Sequence, residues 1–166
     1  RTSLMRRAKR CLSQAQLLLF AKSADVLDVA GPRSSVLSNV PFAEPTLVAE
    51  NPGPRLLFVG AQTYAPNKNG MVWFLENCWP EIAAQNRAAR LRVVGSGNWP
   101  EFGLAYRHLD RVDFVCFADD LNAEYAQATA SICPIFEGAG TQIKVIESCA
   151  FGRPVVTSAF SADGFG

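Results

Sequence analysis

The sequence is poor in the side chains that most often carry acid–base or metal chemistry. Its 166 residues contain one histidine, His108, and no Cys-x-x-Cys pair. A zinc site therefore lacks ligands at the usual spacing. A nucleophile–histidine triad has one candidate base, in Tyr106-Arg107-His108-Leu109, with no Ser or Cys motif beside it, so His108 reads as surface or core filler. Long apolar runs are missing too. Residues 15 to 21, interrupted by Gln16, and residues 71 to 75 are the longest. Both fall far short of the roughly 20 residues that span a bilayer. Neither charge dominates: 16 Lys and Arg against 15 Asp and Glu leave a net +1. That balance argues against a dedicated nucleic-acid binder or a strongly basic membrane-surface protein. Internal repeats and low-complexity segments are absent as well.

What is present is a core-forming composition, 49% apolar. A chain of this length suits one ordinary domain, or one domain and a piece of another, burying about two-thirds of its unfolded surface. The start, Arg1-Thr2-Ser3-Leu4-Met5, has neither an initiator Met nor the apolar stretch and cleavage site of a secretory signal, so the chain reads as cut from something longer. Cys11, Cys78, Cys116, Cys133 and Cys149 each sit in an apolar run and are expected to be reduced core residues of a cytoplasmic protein.

Residues 1 to 12 place Arg1, Arg6, Arg7, Lys9 and Arg10 around Leu4, Met5 and Leu12, an amphipathic helix with a basic face. That face reads as solvated, with peripheral contact to anionic lipid as the functional alternative. A short apolar run follows to Phe20, then a short helix from Ser23 through Val29, stopped by Gly31-Pro32, and a strand from Ser34 to Leu37. Pro41, Pro45, Pro52 and Pro54 mark residues 42–54 as an interdomain linker.

From Arg55 onward strands and helices alternate. Strands are predicted at residues 56–59, 90–94, 112–117, 130–135 and from 154. Helices are predicted at 71–82, with Pro80 as a kink or fresh start, at 121–128, with Asp119-Asp120 as a cap or a magnesium pair, and at 141–151. This alternation predicts an α/β fold with a doubly wound parallel sheet and right-handed crossovers. Ligands of such sheets collect at the carboxyl ends of the strands.

The turn Phe136-Glu137-Gly138-Ala139-Gly140-Thr141 leads into a helix carrying Gln142, Lys144 and Glu147. Gly138 and Gly140 permit close backbone approach, and the N–H groups around Thr141, Gln142 and Ile143 favour an anion such as phosphate. Glu147 lies about 9 Å beyond Thr141 at roughly 1.5 Å per residue, so a nucleoside diphosphate spans the two, with ribose hydroxyls on the carboxylate. The same residues also read as a plain turn with a solvent-exposed Lys144–Glu147 pair. Gly95-Ser96-Gly97 is either a ligand approach or a turn. After Gly60, the segment Pro66-Asn67-Lys68-Asn69-Gly70 offers N–H groups and Lys68 to an anion, or simply a solvated lysine. Neither a P-loop nor a G-x-G-x-x-G opening occurs, which weighs against ATPase and dehydrogenase readings.

Gly138-x-Gly140-Thr141-x-x-Lys144-x-x-Glu147, continuing through Gly152-Arg153-Pro154-Val155-Val156, resembles the donor-binding half of group 1, family 4-like glycosyltransferases of the GT-B fold. Further stretches fall in register: Phe58-Val59-Gly60, Pro66-Asn67, Trp73-Phe74, Val93-Val94-Gly95, Val115-Cys116-Phe117 and Asp119-Asp120-Leu121. The resemblance implies a Rossmann-like doubly wound half of a GT-B fold over residues 55–166, incomplete at both ends, with residues 1–41 a remnant of the acceptor domain. It implies transfer of a sugar from a UDP-, GDP- or ADP-sugar to a glycan or lipid-linked acceptor, with retention, no cofactor and no obligatory metal. By position, Glu147 matches the glutamate that holds the ribose, Gly140 and Thr141 the diphosphate loop, and Phe117 with Ala118 the segment beside the base.

Two departures stand out. The family's second glutamate, eight residues before Glu147, is Ala139 here, with Glu137 displaced by two as a possible sugar contact. The arginine that often follows the first strand's glycine is Ala61, leaving Lys144 and Lys68 to offset phosphate charge. Since the acceptor site and a histidine near the donor sugar belong to the other domain in this family, the chain by itself is expected to bind donor without transferring sugar. The alternatives are a sugar-nucleotide epimerase of the same fold and a nucleotide-binding module without catalysis. A cytoplasmic location, peripheral to the inner membrane face, fits lipid-linked acceptors.

Overall fold

The computed structural model describes residues 18–20, 34–36, 53–138, 141–163 and 165. The expected basic helix at 1–12, the helix at 23–29 and the linker at 42–54 lie outside these, apart from residues 53 and 54. Strands β1 (Leu18–Phe20) and β2 (Ser34–Val36) pair in parallel, Leu18 opposite Ser34.

The remaining strands are β3 (Arg55–Val59), β4 (Arg90–Val94), β5 (Val112–Val115), β6 (Ala130–Cys133) and β7 (Val155–Thr157). They form one parallel sheet in the order β5-β4-β3-β6-β7. The chain winds outward from β3 through β4 to β5, then returns to the other side of β3 for β6 and β7. This is the Rossmann-like doubly wound arrangement, and its direction of winding reverses between β3 and β6. Both faces are covered, as parallel sheets require. Phe58, Leu91, Val93 and Ile132 pack on one side with Met71, Phe74, Leu75, Trp79 and Trp99, while Leu57 and Val94 meet Tyr125 and Ala128 on the other. Adjacent Leu57 and Phe58 enter opposite faces because strand side chains alternate.

Helix α1 (Ala65–Asn77) buries Asn67, Gly70, Met71, Phe74 and Leu75, a stripe at steps of three, one, three and one. It starts earlier than the apolar spacing alone predicts. Pro66 stands in its first turn, where a missing N–H costs nothing, so Pro66 to Gly70 is helix and not the anticipated anion loop. Cys78 then separates it from α2 (Trp79–Gln85), which carries Pro80 in its own first turn, a fresh start in place of one continuous helix. Helices α3 (Trp99–Gly103), α4 (Leu121–Ala126), α5 (Ile143–Ala150) and α6 (Ala159–Ala162) complete the described set. Asp120 caps α4, its side chain accepting from the Asn122 N–H at 2.8 Å. The predicted strands overrun at two places: β5 ends at Val115, and β6 ends before Pro134, which cannot donate to a ladder.

Gly70 seats α1 against the segment after β6. A Cβ on Gly70 would lie 2.0 Å from the Pro134 carbonyl oxygen. At the opposite end of the sheet, Glu124 joins the strands through their arginines. It accepts from Arg55 Nη2 at 3.2 Å and from Arg92 Nη2 at 2.8 Å.

The thiols depart from expectation. Cys133 is buried in the core, but Cys78 is half-buried and Cys116 and Cys149 are exposed. An apolar neighbourhood in sequence does not decide which face a residue takes: Val145 and Ser148 are the buried side of α5, and Cys149 lies one step, about 100°, around the helix from Ser148. No helix among the described residues is long and apolar enough to cross a membrane.

Candidate functional site

The reversal of winding between β3 and β6 leaves a crevice at their carboxyl ends, entered by the loops that follow each strand. A cleft of about 320 Å³ opens there. The β3 side supplies Val59, Gly60 and Tyr64; the start of α5 supplies Thr141, Gln142, Ile143, Lys144 and Glu147. Five of the residues singled out from sequence, Gly60, Thr141, Gln142, Lys144 and Glu147, thus line one cleft.

Helix α5 begins after Gln142, whose backbone is extended and whose side chain makes no capping bond. The start of the helix, the electropositive end of its dipole, lies beside the lining residues Thr141, Gln142 and Ile143. Lys144 is half-buried, and its ammonium donates to Asn67 Oδ1 at 3.1 Å and Gln142 Oε1 at 3.2 Å. It stands 5.9 Å from the centroid of the Phe58 ring. Burial lowers its pKa, and the Cys133 thiol and Glu147 carboxyl pull it back upward. Glu147 is displaced the other way: burial raises its pKa, and Lys144 opposes the rise. The pair is accordingly not the exposed surface pair that spacing alone permits. A cation and a carboxylate share a partly desolvated wall, where charge acts more strongly than in water.

Three lining residues, Val59, Tyr64 and Ile143, stand outside the sequence-derived set, as does Asn67, which meets the cleft through Lys144. Asn67 is only 4% exposed and its Nδ2 donates to the Ala61 carbonyl at 2.9 Å. Its signal was available: a polar residue on the apolar stripe of α1, four residues before Met71. Tyr64 offers no such pattern. Its hydroxyl lies within 2.7 Å of where a Cβ on Gly138 would sit, so Gly138, at φ +124°, lets the two loops meet.

Other sequence candidates lie elsewhere. Glu137 is exposed and accepts from Asn69 Nδ2 at 2.8 Å, tying its loop to α1. Lys68 is exposed on α1 and does not line the cleft. Gly95 approaches backbone, since a Cβ there would lie 2.0 Å from the Gly60 carbonyl oxygen. Phe117 is 71% exposed beyond β5, and Ala118 packs beside the core of Leu57, Val94 and Tyr125. Gly140, with Ala139, is outside the described residues. His108 is exposed, its ring 6.4 Å from that of Tyr106. Among the described residues no three His, Cys, Asp or Glu side chains gather as a metal site.

Solved structures share this architecture. TarM superposes with a TM-score of 0.72 at 11% identity, over 92% of this chain and 31% of TarM. A TarM variant from S. aureus, in complex with fondaparinux, alpha-GlcNAc-glycerol and UDP, gives 0.68 at 12% identity over 92% of this chain and 32% of its own. WaaG, a glycosyltransferase involved in lipopolysaccharide biosynthesis, gives 0.67 at 20% identity over 88% of this chain and 46% of its own. The chain therefore spans less than half the length of each, and at these identities the likeness is one of fold. No curated protein matches the sequence. The family described as "Glycosyl transferases group 1" matches residues 53–164, which takes in the whole five-stranded sheet and the cleft. The chain belongs to the group 1 glycosyltransferases.

Proposed function

We propose that residues 55–166 are the donor-binding unit of a glycosyltransferase and that the β3–β6 cleft takes the nucleoside diphosphate of a sugar nucleotide. The observation that carries this reading is the joint placement of Lys144, Glu147 and the start of α5 on one cleft wall at the reversal of the sheet. The UDP in the TarM complex supports it, as does family membership. That β1 and β2 form a sheet of their own supports assigning residues 1–41 to a different unit, with residues 42–54 between the two.

In this reading the diphosphate lies at the first turn of α5, and the α5 N–H groups and the Lys144 ammonium offset its charge. An ammonium has three donors; Asn67 and Gln142 take two, leaving one for a phosphate oxygen. Glu147, about a turn further along, accepts from the two ribose hydroxyls. When the bond between the sugar and the diphosphate breaks, negative charge grows on the departing phosphate. Donors already in place stabilise that charge more than they stabilise the ground state. The acceptor, a glycan or a lipid-linked sugar, approaches from the cleft's open side.

Calorimetric titration with UDP, GDP and ADP tests the proposal. One diphosphate is expected to bind, with affinity reduced about tenfold or more in Glu147→Ala, since a carboxylate–hydroxyl pair is worth about 1.5 kcal/mol or more. Equal affinity of the variant and the unaltered chain for that diphosphate would refute the ribose role; absence of binding by all three would refute the cleft assignment.

A further inference from the structure

The buried amide of Asn67 is engaged at both ends, donating to the Ala61 carbonyl at 2.9 Å and accepting from the Lys144 ammonium at 3.1 Å. Turning the amide over would set an N–H group against an ammonium and a carbonyl against a carbonyl, so only one orientation satisfies both partners. The amide is also wedged beneath the loop after β3. A Cβ on Gly60 would come within 2.8 Å of Nδ2, and Gly60 itself lines the cleft. Asn67 and Lys144 stand 77 residues apart in sequence, and their hydrogen bond joins α1 to α5.

The surroundings of Lys144 are mixed in charge. Glu147 faces it from its own helix and the Cys133 thiol from β6, whereas α1 presents the neutral Asn67 and β3 the Phe58 ring. The geometry points to Asn67 as a positioning residue that fixes the Lys144 ammonium in the cleft without neutralising it, keeping its charge for the ligand's phosphates. This inference rests on the diphosphate reading of the cleft given above. A carboxylate at position 67 would hold the ammonium equally well but cancel the charge the ligand requires. An apolar side chain would leave it one partner short in a partly desolvated wall.

Titration of the lysine side chain tests this directly. The chain has four lysines, so ¹⁵Nζ and ¹³Cε resonances are few, and Lys144→Met assigns the one of interest. Asn67→Leu is expected to lower the Lys144 midpoint by about one pH unit, the equivalent of one hydrogen bond to a charged group. Asn67→Asp is expected to raise it by a similar amount. Opposite shifts are something a merely loosened fold does not produce. Should Asn67→Leu fail to fold, the upward shift in Asn67→Asp decides alone. In parallel, the tightest of UDP, GDP and ADP is expected to bind Asn67→Leu about tenfold more weakly than the unaltered chain, with no further loss when Asn67→Leu is added to Lys144→Met. Unmoved midpoints, shifts of the same sign in both variants, or fully additive affinity losses would overturn the role of Asn67. If none of the three nucleotides binds the unaltered chain, the cleft reading fails, and the Lys144 midpoints still decide whether Asn67 positions it.

Discussion

Replacing Gly70 with alanine sets a helix preference against a steric limit, and the structure gives the size of each. Alanine in a helix interior is favoured over glycine by about 1 kcal/mol. Against that, the new Cβ would lie 2.0 Å from the Pro134 carbonyl oxygen and 2.9 Å from its carbon, where ordinary contact begins at 3.4 Å. The obstacle is backbone, which has no rotamer to change, so α1 must move outward by about 1 Å or more. Met71, Phe74 and Leu75 ride on the same helix face and would lose close packing together. Overpacking of this kind costs about 3 kcal/mol at the upper end of its usual range. The steric term wins, and Gly70→Ala is expected to destabilise the fold by about 2 kcal/mol. For a chain of this length that is a fall in Tm of about 4 to 8 °C. Thermal and urea unfolding followed by circular dichroism measure it, with the urea slope unchanged if the unfolded state is unaffected. Because α1 carries Asn67, nucleotide affinity should fall as well. A Tm equal to or above that of the unaltered chain would refute the seating of α1 on Pro134.

Two further outcomes follow from the same packing. Tyr125 is fully buried, stacked 4.5 Å from Phe151, and among the described residues its hydroxyl has no hydrogen-bond partner, while burial and the neighbouring Glu147 push its pKa upward. Tyr125→Phe is therefore expected to stabilise the fold by about 1 kcal/mol, by removing a desolvated hydroxyl; a loss of 1 kcal/mol in urea unfolding would show that the hydroxyl has a partner. Glu147→Gln should separate stability from function. The folded-state pKa of Glu147 lies above its ordinary 4.5, so the native chain holds more protons there than the unfolded one, and that contribution is lost as pH rises through the folded value. The variant should match the unaltered chain below pH 4.5, gain on it as pH rises, and stay ahead at pH 7, while binding diphosphate more weakly. Parallel stability curves across that range would contradict the burial of the carboxyl.

Much of this molecule is legible from local pattern. Short apolar runs, followed by glycine after β3 and β4 and separated by helical spacing, foretell β3, β4 and β6 and the crossovers between them, because side-chain period is a property of a few consecutive residues. The turn before α5 and the shared face of Lys144 and Glu147 are visible in the same way, since residues three or four apart on a helix share a face whatever surrounds it, although α5 starts at Ile143, two residues later than the spacing predicts. Local pattern misjudged what depended on position in a fold: where Pro66 falls in its helix, and whether Cys116 and Cys149 face inward.

Tertiary structure alone decided three things. The sheet order placed the reversal of winding between β3 and β6, and so chose which two of the several strand-end loops form a cleft. Packing of α1 against the segment after β6 brought Asn67 to Lys144 across 77 residues of sequence. Burial then turned what spacing reads as a surface ion pair into a cation and a carboxyl with opposed pKa displacements on a shared wall. The physical reason is common to all three. Hydrogen-bond ladders and close packing select partners by shape over the whole chain, and desolvation follows from what those partners exclude, so neither is written in any one stretch of residues.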